Sequence, residues 1–390
     1  MINKSRLVKL TQKVIRFNSV NPPGNELALS KFIEKDMRSL GLEVKKYSFE
    51  KNRPNIVATL KGTLPRAQAA REAVLITPHF DTVPIGTGWK FNPLGGQIHQ
   101  GRIYGRGASD DKGNLTCCME VMRSLVEDGA RVRKDIIMAA TVDEETGSHC
   151  GIIPLLDKKI LRPKVALIMD SDEFDTIIAQ KGLLHLRVQI FGKKAHGAYN
   201  WRGVNSIELA AKVIEKLKAH QFSAKGGSAS GGKLKKHPLL HPPTKNIGTI
   251  RGGDKVNMVA DFCEFSLDMR FLPGMKDKAV LRKITEIVGS VAQKFKIEID
   301  DLQQPYEIDR HHPFVKTYVD TARRMGFKAT LKGSEGATVI TFFKKHGIPA
   351  FATGYCSSGT AHTTDEYAEV NKLYQGSRLL ERFLKEYDQQ

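Results

Sequence analysis

Ala73-Val74-Leu75-Ile76-Thr77-Pro78-His79-Phe80-Asp81 is the stretch on which the reading of this chain turns. A short, continuously apolar run closed by a proline reads as a strand buried on both faces, because Pro78 cannot donate to a sheet ladder. Two further runs have the same build. Ile136-Ile137-Met138-Ala139-Ala140-Thr141-Val142 ends in Asp143-Glu144-Glu145, and Val165-Ala166-Leu167-Ile168-Met169 ends in Asp170. Helical spacing over 5–17, 26–41 and 114–127 alternates with these runs, and Asn55–Leu60 reads as another strand. The expected fold class is therefore α/β, with a mixed, mostly parallel sheet sandwiched by helices. In such sheets ligands gather beyond the carboxyl ends of the strands, which is where these acidic and imidazole groups stand.

After Gln180 the pattern changes. Residues 184–191 and 259–270 alternate as strands with one wet face, while 204–218 and 277–292 have helical spacing. Two strands and two helices make an inserted α+β domain. Lys225-Gly-Gly-Ser-Ala-Ser-Gly-Gly232 inside it reads as a flexible loop by composition. Near Gln303-Gln304-Pro305 the chain is expected to return to the first layer, since Gly347–Phe351 is again a short buried strand. The boundaries read as 1–180 and 303–390 for one domain and 181–302 for the insert.

Composition narrows the function. The 390 residues carry 61 Lys and Arg against 42 Asp and Glu, a net charge of +19, so a polyanionic partner has to be weighed. The basic residues are dispersed in pairs, with no basic tail, zinc finger or aromatic-interleaved motif. No specific nucleic-acid partner is expected, and a relic enzyme that binds nucleic acid would instead show steeply salt-dependent binding. No apolar run approaches the roughly 18 residues of a spanning helix, and Met1-Ile-Asn-Lys-Ser-Arg6 has no apolar signal core. The five cysteines, Cys117, Cys118, Cys150, Cys263 and Cys356, show no metal-knuckle spacing. The expectation is a cytoplasmic chain with no membrane attachment.

His79, Asp110, Glu145, Asp170 and His362 are the candidate metal ligands. They are too far apart in sequence for a local ligand loop and can meet only if the fold gathers strand ends. Two imidazoles and three carboxylates suit a pair of borderline divalent cations such as zinc, one His and one carboxylate to each, with one Asp bridging both. Asp81 lies two residues beyond His79 and is suited to orient its ring. Asp110 sits in the glycine-rich turn Gly105-Arg106-Gly107-Ala108-Ser109-Asp110-Asp111-Lys112-Gly113, just before a helix.

Pro78-His79-Phe80-Asp81-Thr82-Val83-Pro84, Gly105-Arg106-Gly107 to Gly113, Asp143-Glu144-Glu145 and Ala361-His362-Thr363-x-Asp365-Glu366-Tyr367 together resemble the dizinc amidohydrolase and exopeptidase family. That family includes acetylornithine deacetylase, succinyl-diaminopimelate desuccinylase, aminoacylase and carboxypeptidase G. The resemblance runs from about residue 10 to the C-terminus. It implies a zinc-exopeptidase-like fold whose insert serves as a lid and dimerisation domain, and two Zn2+ per subunit, with Co2+ or Mn2+ as possible substitutes. His79 and Asp170 would hold one metal, Glu145 and His362 the other, and Asp110 would bridge them, with a cis peptide between Asp110 and Asp111. Glu144 would be the general base of amide hydrolysis by a metal-bridging hydroxide.

The insert adds to the resemblance. Gly192-Lys-Lys-Ala-His196-Gly197-Ala198 looks like the family's lid histidine, which implies that His196 reaches a neighbouring subunit's oxyanion and that the chain is a homodimer. Gly252-Gly253-Asp-Lys-Val-Asn257 and Leu267-Asp268-Met269-Arg270-Phe-Leu-Pro273-Gly274 resemble its substrate stretch. Arg270 would clamp a carboxylate and Asn257 would assist, or Arg270 is an ordinary ion pair at a strand end. Gly333-Ser334-Glu335-Gly336-Ala337-Thr338-Val339 stands where family members contact the acyl or amino-acid moiety, so Gly336 is a substrate-binding candidate. Val339 replaces an acidic residue common there, which points away from succinyl-diaminopimelate. Glu335 either faces a substrate ammonium or is an exposed loop residue. The implied reaction is deacylation of an N-acyl amino acid, with hydrolysis of dipeptides or other short peptides, as by a carboxypeptidase, as the alternative.

Overall fold

Ile136–Ala140, Val74–Thr77, Val165–Ile168 and Ala350–Ala352 lie side by side and run parallel in the computed structural model, which describes residues 1–223 and 236–390. Their side chains are almost wholly buried, as continuously apolar runs require when helices cover both faces of a sheet. Antiparallel strands flank this centre. Arg53–Leu60 pairs with Ile136–Ala140 and with the edge strand Glu43–Glu50, and Thr176–Gln180 follows Ala350–Ala352 at the other side. The sheet is thus α/β, mixed, with a parallel core.

The helix Lys112–Glu127 is buried around most of its circumference, with Leu115, Cys117, Cys118, Met119, Val121, Met122 and Leu125 inaccessible. It is wedged against Val370–Asp388 and Lys4–Ile15. That depth makes its N-terminus a fixed platform, and Asp110 sits on it.

The chain forms two compact units. One comprises 1–178, 308–332 and 342–390, and the other 179–307 and 333–341. Residues 333–341, expected with the first layer, belong to the second unit. Polar ties explain this: Gln180 Oε1 accepts the N–H and hydroxyl of Thr338, at 3.0 and 2.8 Å. Lys181 Nζ pairs with Glu335 Oε2 at 2.6 Å.

Within the second unit, among the described residues, four strands run in the order Thr244–Gly252, Phe262–Phe271, Gly182–Phe191, Phe295–Gln303, all antiparallel. Two strands were expected. The outer two escape a periodicity reading because Thr244–Gly252 is mostly exposed and Phe295–Gln303 carries Glu298, Asp300 and Asp301. Helices Ser206–Ala219 and Asp277–Gly289 bury Ala210, Val213, Leu217, Val280, Ile284 and Val288 against Leu186, Val188, Phe265 and Leu267 of the sheet. The expected loop Lys225–Gly232 lies outside the described residues.

Candidate metal centre

Three adjacent parallel strands deliver the first group of side chains. His79 follows Val74–Thr77, Glu144 and Glu145 begin the short 3-10 turn after Ile136–Ala140, and Asp170 follows Val165–Ile168. Asp110 arrives on the turn before Lys112–Glu127, and the Asp110–Asp111 peptide is cis. His362 comes from the loop between Ala350–Ala352 and Tyr367–Glu369.

These residues converge. His79 Nε2 lies 2.9 Å from Asp110 Oδ1, and His362 Nε2 lies 3.0 Å from Asp110 Oδ2 and 3.2 Å from Glu145 Oε2. Asp110 therefore offers one oxygen to each imidazole, the disposition of a bridging carboxylate. Potential ligand atoms fall into two sets, each within 4.8 Å: His79, Glu144 and Asp170, and Asp110, Glu145 and His362. The first set includes Glu144, expected from the resemblance to be the base and not a ligand. His79 is 3% exposed and Glu144 and Asp170 are half-buried, whereas the His362 side chain is 52% exposed, so the second set is the more open of the two, at His362.

Buried carboxylates hold the backbone beneath the site. Asp81 Oδ1 accepts the Glu144 N–H at 3.0 Å and lies 3.4 Å from His79 Nδ1, and its Oδ2 accepts the Glu145 N–H at 3.1 Å. The His79 N–H donates to Asp111 Oδ2 at 3.1 Å. Glu366 Oε1 accepts the N–H groups of Ser109 and Asp110 at 2.8 and 3.0 Å. Its Oε2 accepts from Gly107 N at 3.1 Å and from Arg106 Nη1 at 2.7 Å. Glu366 belongs to the His362 motif, where its sequence position indicates no role of its own. Asp143 likewise stands in a motif without a role of its own, and Asn21, Glu26 and Arg53, which lie with it behind the Glu144 turn, escape a sequence reading. For Asn21 and Glu26 the one sequence signal is that they bracket the turn-forming run Asn21-Pro-Pro-Gly-Asn-Glu26 ahead of a helix.

The electrostatics are those of crowded acids shared between two bases. Burial, with Asp110 next in importance, pushes the Asp170 carboxyl up to about 7, and burial beside Asp170 carries Glu144 well above the ordinary Glu value. Burial also works to raise Asp110, but hydrogen bonds from His362 and His79 hold it below the usual range. His362 is raised to about 10 by its hydrogen bonds to Asp110 and Glu145. Dense negative charge with imidazoles interleaved, and oxygen and nitrogen donors alone, fits hard to borderline divalent cations.

The remaining candidates belong to the second unit. His196 Nδ1 accepts the Ala198 N–H at 3.1 Å, which in the neutral ring leaves the proton on Nε2, free to donate. The Asn257 carbonyl accepts the Gly197 N–H at 2.8 Å. Arg270 Nε is 2.8 Å from Asp268 Oδ1 and Nη2 is 3.2 Å from Oδ2, the ion pair held open as its ordinary explanation. Gly336 accepts the Ser334 hydroxyl at 3.1 Å. Glu335 takes Lys181 and the His241 N–H, at 2.9 Å, so its carboxylate already has partners within the unit. Among the described residues no helix is long and apolar enough to cross a membrane.

A parallel-centred α/β sheet with paired candidate metal sites at its strand ends defines a metal-dependent hydrolase. The chain belongs to peptidase family M20/M25/M40, whose model matches residues 75–386. It is 29% identical over 304 residues to the acetylornithine deacetylase of Salmonella typhi, covering 76% of each chain. Its fold is similar to that of the aminopeptidase PepT from Bacillus cereus, with a TM-score of 0.82, 24% identity and 99% of both chains covered. A tripeptidase from Staphylococcus aureus follows at a TM-score of 0.79 and 22% identity over 100% of both chains.

Proposed function

We propose that this protein removes the acyl group from an N-acylated amino acid by hydrolysing its amide bond at a two-zinc centre. The observation that carries the reading is Asp110, poised between His79 and His362 with Glu144 beside them. The likeness to an acetylornithine deacetylase supports the substrate class. In this reading His79 and Asp170 would hold one cation and Glu145 and His362 the other, with Asp110 contributing to both. When bound, the cations polarise the scissile carbonyl and make water acidic enough to ionise near neutrality. Asp81 fixes the tautomer and direction of His79. Glu144 takes the proton of the attacking water on a carboxylate oxygen and returns it to the departing amine nitrogen.

His196 donates its Nε2–H to the developing oxyanion of a neighbouring subunit, and Arg270, Asn257 and Gly336 receive the substrate carboxylate and acyl chain. For Arg270 this means exchanging Asp268 for substrate. The homodimer that His196 requires finds support on the second unit, where Trp201, Ile207, Ile250 and Val256 are exposed. All five cysteines are free and buried, as suits a reducing cytoplasm.

The peptidase description of the family favours a second reading, hydrolysis of dipeptides or other short peptides by the same groups. A panel of N-acyl amino acids and short peptides, repeated after chelation and after zinc return, tests both. Turnover confined to N-acyl amino acids and restored by zinc is expected. Turnover confined to peptides, or indifferent to chelation, rejects the deacylase. Sedimentation at assay concentration should show a dimer, and a fully active monomer would reject the role given to His196.

A further inference from the structure

The turn that presents Glu144 and Glu145 is held from behind by a side chain that precedes residue 75, where the family match begins. Asn21 Nδ2 is 3.0 Å from Asp81 Oδ2, 2.9 Å from Thr146 Oγ1 and 3.3 Å from Asp143 Oδ1. The Thr146 hydroxyl donates to Asp143 Oδ1 at 2.5 Å, so toward Asn21 it can only accept. The two amide hydrogens serve the nearer pair, Asp81 Oδ2 and Thr146 Oγ1, with Asp143 Oδ1 a longer, shared contact, and an amide NH2 supplies both without adding charge. Asn21 is 3% exposed, its own N–H donates to the Thr82 carbonyl at 2.8 Å, and Thr82 N–H returns to the Ser19 carbonyl at 3.0 Å. The amide is therefore anchored on the same segment that carries Asp81.

Asp143, the residue before Glu144, is in the left-handed backbone region at φ 69°. That conformation is uncommon outside glycine and persists where surroundings determine it. Two further contacts on its carboxylate do so besides Asn21 and Thr146, and one of them is itself braced. Arg53 Nη2 is 3.0 Å from Asp143 Oδ1, Cys150 N donates to Asp143 Oδ2 at 3.0 Å, and Arg53 is itself clamped to the buried Glu26 at 2.6 Å.

We propose that Asn21 is a positioning residue of the metal centre: its amide ties the Asp81 carboxylate to the Asp143–Thr146 turn and so fixes the directions in which Glu144 and Glu145 project. Asp81 Oδ2 is shared between Asn21 and the Glu145 N–H, so loss of the amide frees that carboxylate and the turn together. The inference rests on the two-cation reading of the site but not on any particular substrate.

Zinc titration of the chelator-stripped full chain by calorimetry tests it, with Asn21→Ala and Thr146→Val beside wild type. Outer contacts of this kind are worth about 10- to 100-fold in metal affinity or activity. The expected result is that Asn21→Ala takes up two zinc ions, one of them about 10- to 100-fold more weakly than wild type. The circular dichroism spectrum should be unchanged, and on whichever substrate the wild type hydrolyses kcat should fall with KM held. Thr146→Val should shift the same zinc in the same direction by less. Should Asn21→Ala fail to fold, Thr146→Val decides alone. Wild-type affinity for both ions in the folded variants overturns the proposal. A wild type that binds two zinc ions yet cleaves nothing in the panel defeats the deacylase reading and leaves this titration to stand by itself.

Discussion

Glu366 accepts the backbone N–H of Asp110 at 3.0 Å, joining the loop that carries His362 to the turn that carries the carboxylate lying between the two imidazoles. Both Glu366 oxygens are used, on three backbone donors and on the guanidinium of Arg106, and the side chain is fully buried. One carboxylate thus registers two chain segments that the sequence keeps far apart.

Removing that carboxylate should be costly. Glu366→Ala leaves the Arg106 guanidinium, also buried, without its anion and three N–H groups without an acceptor. Breaking a buried pair from one side costs about 3 to 5 kcal/mol. Urea denaturation should show a loss of that size, together with fewer than two zinc ions retained after dialysis. Wild-type stability in the variant would contradict the role assigned here.

Glu144→Gln keeps the size and hydrogen-bonding reach of the side chain and removes its ability to shuttle a proton. A general base contributes about 10²- to 10⁴-fold. Turnover should fall by at least that factor while both zinc ions remain, as read by atomic absorption. Loss of one zinc instead would make Glu144 a ligand, which its proximity to His79 and Asp170 allows geometrically.

His312 supplies a pH dependence away from the metal. It caps the helix Pro313–Arg324, its Nδ1 accepting the Phe314 N–H at 3.2 Å. Burial lowers its pKa from the ordinary His value, against a smaller raising effect of Asp309. A folded pKa below the unfolded one gives stability that is present above about pH 6.5. It is lost as pH falls through the unfolded and then the folded value, because the imidazolium can no longer accept. A lost cap costs about 0.5 to 2 kcal/mol. Asn caps without titrating, so His312→Asn should lose less stability than wild type between pH 7 and 5 in thermal melts. Parallel pH profiles for the two proteins would exclude the cap as their source.

Lys181 lies 1% exposed between the Pro242 carbonyl, at 2.7 Å, and Glu335. Lys181→Met should free the 333–341 segment and destabilise the second unit by about 0.5 to 1.5 kcal/mol for each hydrogen bond lost, because Pro242 and Glu335 are exposed and their oxygens can turn to water. If Gly336 contacts substrate, KM should rise more than kcat falls. Unchanged KM with reduced stability would remove Gly336 from the substrate site.

The parallel strands were legible because a sheet covered on both faces demands unbroken apolar runs, and Val74–Ile76 and Val165–Ile168 have little other use. The candidate ligands His79, Glu145 and Asp170 were legible for a related reason: polar groups soon after such strands have nowhere to be except the carboxyl edge, whereas Asp110 and His362 stand on a turn and a loop. Asn21, Arg53 and Glu366 were not legible as site residues. Their partners are distant in the chain, and hydrogen bonds between remote segments leave no periodicity. The exposed strand Thr244–Gly252 and the acidic Phe295–Gln303 were lost likewise, since pairing at a sheet edge is a backbone matter that side-chain pattern barely records.

Hydrophobic order along the chain was enough to settle the layered class and the inventory of donors, because burial of apolar surface acts locally and repeats with the element's period. Folding alone decided which carboxylate faces both imidazoles, which unit owns residues 333–341, and which buried amide steadies the Glu144 turn. Those outcomes depend on directional bonds between segments brought within about 3 Å of each other, a distance range that hydrogen bonding fixes and sequence spacing does not.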